Sequence, residues 1–166
     1  ETAQARLSFA ILGIRVPFVN VGNMATNALT HATPLGLLKG LATIRSGDNR
    51  NKVDMKLSGV VPVVDLARMY ALQGQLDPVN TRTRLQEAIA SNVISKSGGR
   101  DLLDAYDLVA QTRLDHQARQ IKHGKAPDNF LPPADLSAFE RSHLRDAFVV
   151  IKTMQSALMQ GRGVLG

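Results

Sequence analysis

The sequence contains no cysteine and no tryptophan, and aromatic residues make up only 4% of its 166 residues. Without cysteine the chain has no disulfide bond and no thiolate metal site, and such a composition is compatible with a reducing compartment. Because aromatic residues are scarce, Leu, Val, Ile, Ala and Met must fill the core, which favours helices over a β-sandwich or a β-barrel. A chain of this length can form one domain with a substantial core.

Long hydrophobic runs are missing as well. The most apolar stretch, from Leu7 to Val21, is interrupted by Gly13, Arg15 and Pro17, whereas a transmembrane helix needs ~20 apolar residues. This stretch also lacks the basic start and the cleavage site of a secretory signal. We therefore expect a cytoplasmic protein without a membrane partner. Since the chain begins with Glu1 rather than Met, we also expect it to be part of a longer protein.

The positive charge of the chain has no obvious focus. The net charge is +6, with 20 Lys and Arg residues, which raises the question of a polyanionic partner. However, the sequence contains no run of basic residues, and aromatic residues are not interleaved with basic ones. Nucleic-acid binding would require one face to gather most of these cations, so nucleic acid is the least favoured partner.

The usual catalytic signatures are absent. There is no P-loop and no G-x-G-x-x-G motif, and no serine lies in a nucleophile-elbow context. The four histidines show no H-x-x-x-H spacing; they are His31, His116, His123 and His143. The sequence therefore predicts no catalytic residue and no metal site in this chain.

Apolar periodicity predicts an all-α fold, an antiparallel bundle of about five to six helices. Helices are predicted over Thr2–Leu12 and Phe18–His31, in a short apolar segment after Pro34, over Val64–Leu72, from an Asn80 or Thr81 cap to about Asn92, and in two long segments that close the chain. Ser97 is the predicted cap of the first long helix, and Ser137 with Glu140 has the spacing of a capping box for the second. The segment Val53–Val64 is predicted to be extended or looped.

Both long helices carry polar residues on their apolar faces. Arg113 and Gln117 share the face of Tyr106 and Val109, and a guanidinium there costs several kcal/mol (order of magnitude) unless it is paired. A structural salt bridge and contact with an anionic ligand are both consistent with this position. Gln155 lies between apolar residues of the last helix, where we expect a hydrogen bond within the core.

The densest polar segment runs from Asp54 to Arg68. In an extended strand Asp54 and Lys56 would point to the same side, and Asp65 and Arg68 lie one turn apart on the following helix. Lysine and arginine together suit a phosphate or a carboxylate. A solvated loop followed by a surface ion pair explains the same spacing equally well.

A further pair, Thr81 and Arg84, lies at a helix start, where anions are favoured. Helix capping accounts for Thr81 equally well.

Five ordered stretches together resemble one family. They are PLGLL (Pro34–Leu38), VDMKLSGVVPVVDLARMYAL (Val53–Leu72), NTRTRL (Asn80–Leu85), DLLDAYDLVAQTRLDHQ (Asp101–Gln117) and APDNFLPPADLSAFERSHLRDAF (Ala126–Phe148). They resemble the nucleotidyltransferase substrate-binding domain, found at the C-terminus of bacterial proteins that also carry a cyclic-nucleotide-binding-like domain, paired CBS domains and a nucleotidyltransferase core. The resemblance covers roughly residues 19–155.

The resemblance implies one helical substrate-binding domain over residues 1–166, in which residues 1–17 form a linker helix from the preceding catalytic domain. That catalytic core, which binds Mg²⁺ and a nucleoside triphosphate, would lie outside this chain, which itself would need no cofactor and would not be catalytic. A nucleotide or a protein acceptor is the implied ligand, and a homo-oligomer is compatible with it. The positions that match the family motifs are Asp54, Lys56, Asp65, Arg68, Thr81, Arg84, Arg113, His116, Gln117 and Asn129.

Two hypotheses follow from this resemblance. A binding module predicts a cleft into which at least two of Lys56, Arg68, Arg84 and Arg113 project. A structural or dimerisation bundle that relays signals from the regulatory domains predicts instead that Arg113, Asp65 and Asp54 are mutually paired and buried.

Overall fold

The computed structural model describes residues 9–11, 14–16, 34–35 and 41–163. Four α-helices dominate this part of the chain: α1 (Val61–Gly74), α2 (Thr81–Ala90), α3 (Lys96–Lys122) and α4 (Ala138–Gly163). The prediction of an all-α fold is therefore confirmed, with four α-helices in the described ranges rather than five to six. The predicted helix Phe18–His31 lies outside the described residues, and so does most of the segment after Pro34.

The helix predicted over Thr2–Leu12 is wrong where the structure describes it. Strand β1 (Phe9–Ile11) pairs antiparallel with β2 (Ile14–Val16), and Phe9 lies opposite Val16. Three of these six residues are β-branched, which favours extended backbone.

The segment before α1 is mostly helical rather than extended. Only β3 (Val53–Asp54) is a strand, and a π-helix (Lys56–Val60) leads directly into α1. The side chain of Asp54 starts this helix, because its Oδ1 accepts hydrogen bonds from the backbone N–H groups of Lys56 at 3.0 Å and Leu57 at 2.9 Å. The expectation that Asp54 and Lys56 point to one side of a strand is therefore wrong.

Local capping rules account for most of the other helix starts. Of the two predicted caps of α2, Asn80 and Thr81, the structure uses Asn80, which accepts from Arg82 N at 2.9 Å. The capping box of α4 is confirmed by reciprocal bonds between Ser137 and Glu140. Ser95 caps α3 instead of Ser97. Within α3, buried Gly99 lies so close to Ile89 that a Cβ atom would come within 2.4 Å of Ile89 Cγ1.

Helices α3 and α4 pack antiparallel along much of their length. Gly98 at the start of α3 lies against Met154 near the end of α4. The predicted apolar stripe of α4 forms the centre of the core, where Leu144, Phe148 and Ile151 are almost completely buried.

Apolar spacing on α3 predicts a stripe of Leu102, Tyr106, Val109, Leu114 and Ile121, but this stripe is buried only in its first part. Leu102 and Val109 are buried, but Leu114 and Ile121 expose 52% and 62% of their surface. The second half of α3 instead turns a polar stripe towards the rest of the fold. No helix in the described part of the chain is long and apolar enough to cross a membrane.

Candidate functional site: a polar clamp and a basic cleft

The connection between α3 and α4 is held to α3 through the side chain of Asn129. Arg113 Nε donates a hydrogen bond to Asn129 Oδ1 at 2.6 Å, and Gln117 Nε2 donates to the same oxygen at 3.3 Å. All three residues are half-buried. The Arg113 guanidinium therefore binds an amide oxygen. This partner is neither the carboxylate nor the anionic ligand that were considered from the sequence.

The neighbouring residue, Asp128, is held by the same helix. Buried His116 contacts Asp128 Oδ1 through its Nε2 at 3.1 Å, and Phe130 N donates to the same oxygen at 2.9 Å. Gln120 Oε1 accepts from Asp128 N at 2.8 Å. Because positions 113, 116, 117 and 120 of α3 lie on one helical face, one helix fixes both Asp128 and Asn129. We call this set of bonds the polar clamp.

The polar clamp favours the ionised form of the Asp128 carboxylate. Burial acts to raise its pKa, but the hydrogen bonds from Phe130 N, His116 and Gln120, together with the charge of His116, outweigh burial and lower the pKa below its ordinary value. A hydrogen-bonded carboxylate is favoured in its charged form. Asp128 is therefore an anchor for the connection at neutral pH.

The clamp also reaches β3 and the start of the π-helix that Asp54 caps. Met55 N donates to Asn129 O at 2.9 Å, and β4 (Phe130–Leu131) pairs antiparallel with β3, placing Asp54 opposite Phe130. One short connection thus joins α3, the segment before α1, and the chain that leads through a 3₁₀-turn (Pro133–Asp135) into α4.

Beside the clamp lies a cleft of about 620 Å³ with a basic rim. Lys52, Arg119 and Lys125 supply its cations. The carboxylates in its lining are Asp128, which is held in the clamp, and Asp135. Neither Arg119 nor Lys125 forms an ion pair with the residues that the structure describes. We call this surface the basic cleft.

A glycine at the end of α3 shapes the rim of the basic cleft. Gly124 has a φ of +70°, a backbone conformation that costs a residue with a Cβ atom but not glycine. Gly124 N donates to Ile121 O and Lys125 N donates to Gln120 O, both at 2.9 Å, the bonding pattern of a Schellman motif. The turn occupies carbonyl groups at the helix end and directs the chain back, which brings Lys125 to the cleft.

Two other clefts lie elsewhere in the described structure. One, of about 540 Å³, lies near the start of α4 and is lined by Leu41, Pro133 and Arg141 among others. A smaller one, of about 280 Å³, lies between α3 and α4 and contains three aspartates and no lysine or arginine. The basic cleft is the one directly built on the polar clamp.

The structure divides the ten sequence-predicted site residues into separate groups. Arg113, His116, Gln117 and Asn129 come together in the polar clamp. Asp54 caps the π-helix nearby. Lys56 is exposed and has no polar side-chain partner among the described residues.

The remaining four residues lie on α1 and at the start of α2. Buried Asp65 accepts a hydrogen bond from Arg68 at 3.1 Å, and its Oδ2 is buried without a partner among the described residues. Arg84 Nε donates to Pro78 O at 2.8 Å, and the pKa of Arg84 is lowered by burial and then by the positive charge of Arg68. Thr81 is the first residue of α2, whose cap is Asn80.

Neither sequence hypothesis described this arrangement. None of the four expected cations lines the basic cleft, and Arg113, Asp65 and Asp54 each have a different partner rather than one another. The residues that sequence reasoning missed are Lys52, Arg119, His123 and Lys125, which lie outside the quoted motifs. The one available signal was the i, i+4 spacing of Arg119 and His123 just before Gly124.

The described residues contain no group of three or more His, Asp or Glu side chains arranged to hold a metal ion. His116 and His123, which share the basic cleft, have other contacts: His116 binds Asp128, and His123 Nδ1 lies 2.7 Å from Arg119 O.

Comparison with known proteins agrees with the resemblance of the motifs. No curated protein and no solved structure matches the chain. A family model described as "Putative nucleotidyltransferase substrate binding domain" matches residues 19–161. This match includes the polar clamp, the basic cleft and all of α1 to α3. The chain therefore belongs to the nucleotidyltransferase substrate-binding domain family.

Proposed function

We propose that this domain binds the nucleotide substrate of a nucleotidyltransferase in the basic cleft and leaves the transfer chemistry to a separate catalytic core. Family membership supports the substrate-binding role. The observation that supports the basic cleft as the binding site is the polar clamp, which holds one wall of the cleft. Four hydrogen bonds join α3 to Asp128 and Asn129, and a fifth joins Phe130 to Asp128. A wall fixed in this way is organised before the ligand arrives, which lowers the entropy lost on binding.

The catalytic partner is part of the same proposal. The core would lie in the same longer protein, would bind Mg²⁺ with the nucleoside triphosphate, and would transfer the nucleotidyl group to an acceptor; two metal ions can stabilise both the attacking and the leaving oxygen in such a reaction. Regulatory CBS and cyclic-nucleotide-binding domains and a cytoplasmic location belong to this proposal through the family resemblance alone. In this arrangement the basic cleft forms one side of the substrate site.

The competing proposal is a structural bundle that relays a signal between neighbouring domains. It is favoured by one observation, namely that the family-motif residues Arg113, His116 and Gln117 all bind within the domain. Under this proposal the clamp would stabilise the fold, and the cleft beside it would bind nothing.

Titration of the isotope-labelled chain with ATP, GTP, CTP and UTP, followed by amide NMR spectra, separates the two proposals. Nucleotide binding predicts saturable shifts at the amides of Lys52, residues 119–125 and residues 128–131. If none of the four nucleotides shifts these amides in the folded chain, or if the shifts lie only on α1 and α2, binding in the basic cleft is refuted. The spectrum of the free chain reports whether it is folded.

A further inference from the structure

We infer that the basic cleft recognises its ligand by the phosphate groups and discriminates little between nucleobases. This inference rests on the proposed function, and it assigns the substrate class as phosphate esters or polyphosphates. The residues that carry it are Lys52, Arg119 and Lys125, which differ from the cations of the family motifs.

The charge of the cleft favours an anion. Three permanent cations line it, and the two carboxylates do not offset them fully. Even with Asp128 and Asp135 both counted as negative, the three cations leave one net positive charge in the lining. Asp128 Oδ1 accepts from Phe130 N and contacts His116, so this oxygen is held in the clamp. Lys52 Nζ is held by Asn49 Oδ1 at 3.1 Å, a neutral partner that leaves the ammonium charge uncompensated.

The end of α3 is arranged so that its cations, rather than its carbonyl groups, meet the ligand. A helix C-terminus carries partial negative charge on its unpaired carbonyls, which would repel a phosphate. Here the backbone N–H groups of His123, Gly124 and Lys125 bind the carbonyl groups of residues 119–121. Arg119 lies in the last turn and Lys125 follows the glycine turn, so both cations lie in a turn where the carbonyl groups of residues 119–121 are already hydrogen-bonded.

The lining offers little that would read a nucleobase. Base recognition uses aromatic stacking and paired hydrogen-bonding groups on a fixed edge. The rings of the lining are Phe130, which is half-buried, and the imidazoles of His116 and His123. Both imidazoles already have partners, because His116 contacts Asp128 and His123 Nδ1 lies 2.7 Å from Arg119 O. Gln120, the one amide of the lining, already binds Asp128 N through its oxygen. Arginine and lysine, by contrast, are well matched to phosphate oxygens.

Calorimetric titration of the chain with sodium tripolyphosphate, the four nucleoside triphosphates, and adenosine or uridine tests this inference. We expect tripolyphosphate to bind, the four triphosphates to bind within about threefold of one another, and the nucleosides not to bind. Added salt should weaken binding, since exposed charges are screened over ~8–10 Å near physiological ionic strength.

Charge-removing variants locate the site. Arg119→Gln and Lys125→Gln should each weaken tripolyphosphate binding about tenfold, the change that corresponds to 1.4 kcal/mol. Lys122→Gln is the matched control, because Lys122 lies in the same last turn of α3 but does not line the cleft, and it should change the affinity less than about twofold, as expected of screened surface charge. All three positions are exposed, so the variants should fold, and thermal melting verifies this.

The outcomes separate the inference from the proposed function. Nucleoside binding without tripolyphosphate binding would overturn phosphate recognition while leaving nucleotide binding in place. A strong preference for one triphosphate would overturn base-independent recognition. Equal losses in the Lys122→Gln control and in the cleft variants would refute the assigned residues. Failure of every ligand to bind the folded chain would overturn both the inference and the proposed function.

Discussion

Replacing Asn129 with alanine removes the acceptor that joins Arg113 and Gln117 to the connection. Hydrogen bonds to charged groups contribute about 1.5–3 kcal/mol, and neutral ones about 0.5–1.5 kcal/mol. The Arg113 bond is short at 2.6 Å and the Gln117 bond is long at 3.3 Å, so we take the lower end for the second. The free energy of unfolding should therefore fall by about 2–3.5 kcal/mol.

Chemical and thermal unfolding followed by circular dichroism measures this loss. For a domain of this size a central value of about 3 kcal/mol lowers the melting midpoint by about 6–12 °C. Asn129→Asp is the matched control, because it keeps an oxygen acceptor for Arg113 while removing the amide; we expect it to retain most of the stability. The reasoning is refuted if Asn129→Ala unfolds within about 0.5 kcal/mol of the parent chain, the usual range of surface substitutions, or if both variants lose the same amount.

Three further predictions concern packing and pH. Gly59→Ala should destabilise the domain by about 1–3 kcal/mol in urea unfolding, because its Cβ would come within 2.6 Å of Val109 Cγ1; an unchanged midpoint would contradict this packing. Burial raises the pKa of Tyr70 to about 12, so near-ultraviolet titration of a Tyr106→Phe chain, which keeps Tyr70 as its only tyrosine, should show one late ionisation. A stability contribution from this raised pKa is present below the unfolded value of about 10 and is lost as the pH rises through the folded value; ionisation near 10 in the folded chain would be inconsistent with burial. The pKa of Asp128 is lowered, so its contribution is present above about pH 4 and is lost as the pH falls through the folded pKa. The difference in unfolding free energy between the parent chain and Asp128→Asn should shrink on acidification, and a difference that stays constant with pH would argue against an ionised anchor.

Features that depend on a few neighbouring residues could be predicted from the sequence. The Asn80 cap and the capping box of Ser137 and Glu140 each involve groups no more than three residues apart. The stripe of α4 follows from helical periodicity. For the same reason the helical class and the two long helices were predictable without knowledge of the tertiary fold.

Local reasoning was wrong where two local signals compete. Ser95 and Ser97 are both suitable caps, and the structure uses Ser95, whose hydroxyl accepts from Gly98 N at 3.2 Å. The extended conformation expected after Val53 fails because Asp54 caps a helical turn and buried Gly59 packs against Val109. The contact of Gly59 with Val109 has no signature in the local sequence.

In the candidate site, too, the sequence predicted which residues share a helical face but not which residues they bind. The family motif on α3 placed Arg113, His116 and Gln117 on one helical face, since their spacing requires it. Their partners, Asp128 and Asn129, were decided only by the way the connection folds back on α3.

The sequence by itself determined the helical class, the caps of α2 and α4 and the family, because these follow from side-chain types at short, fixed spacings. Only the tertiary structure decided that Arg113 binds an amide oxygen and that Lys52 lines the same cleft as Arg119 and Lys125. The physical reason is that charges act through space. Lys52 precedes β3 and Arg119 lies in the last turn of α3, so only the pairing of β3 with β4 and the polar clamp bring these cations together.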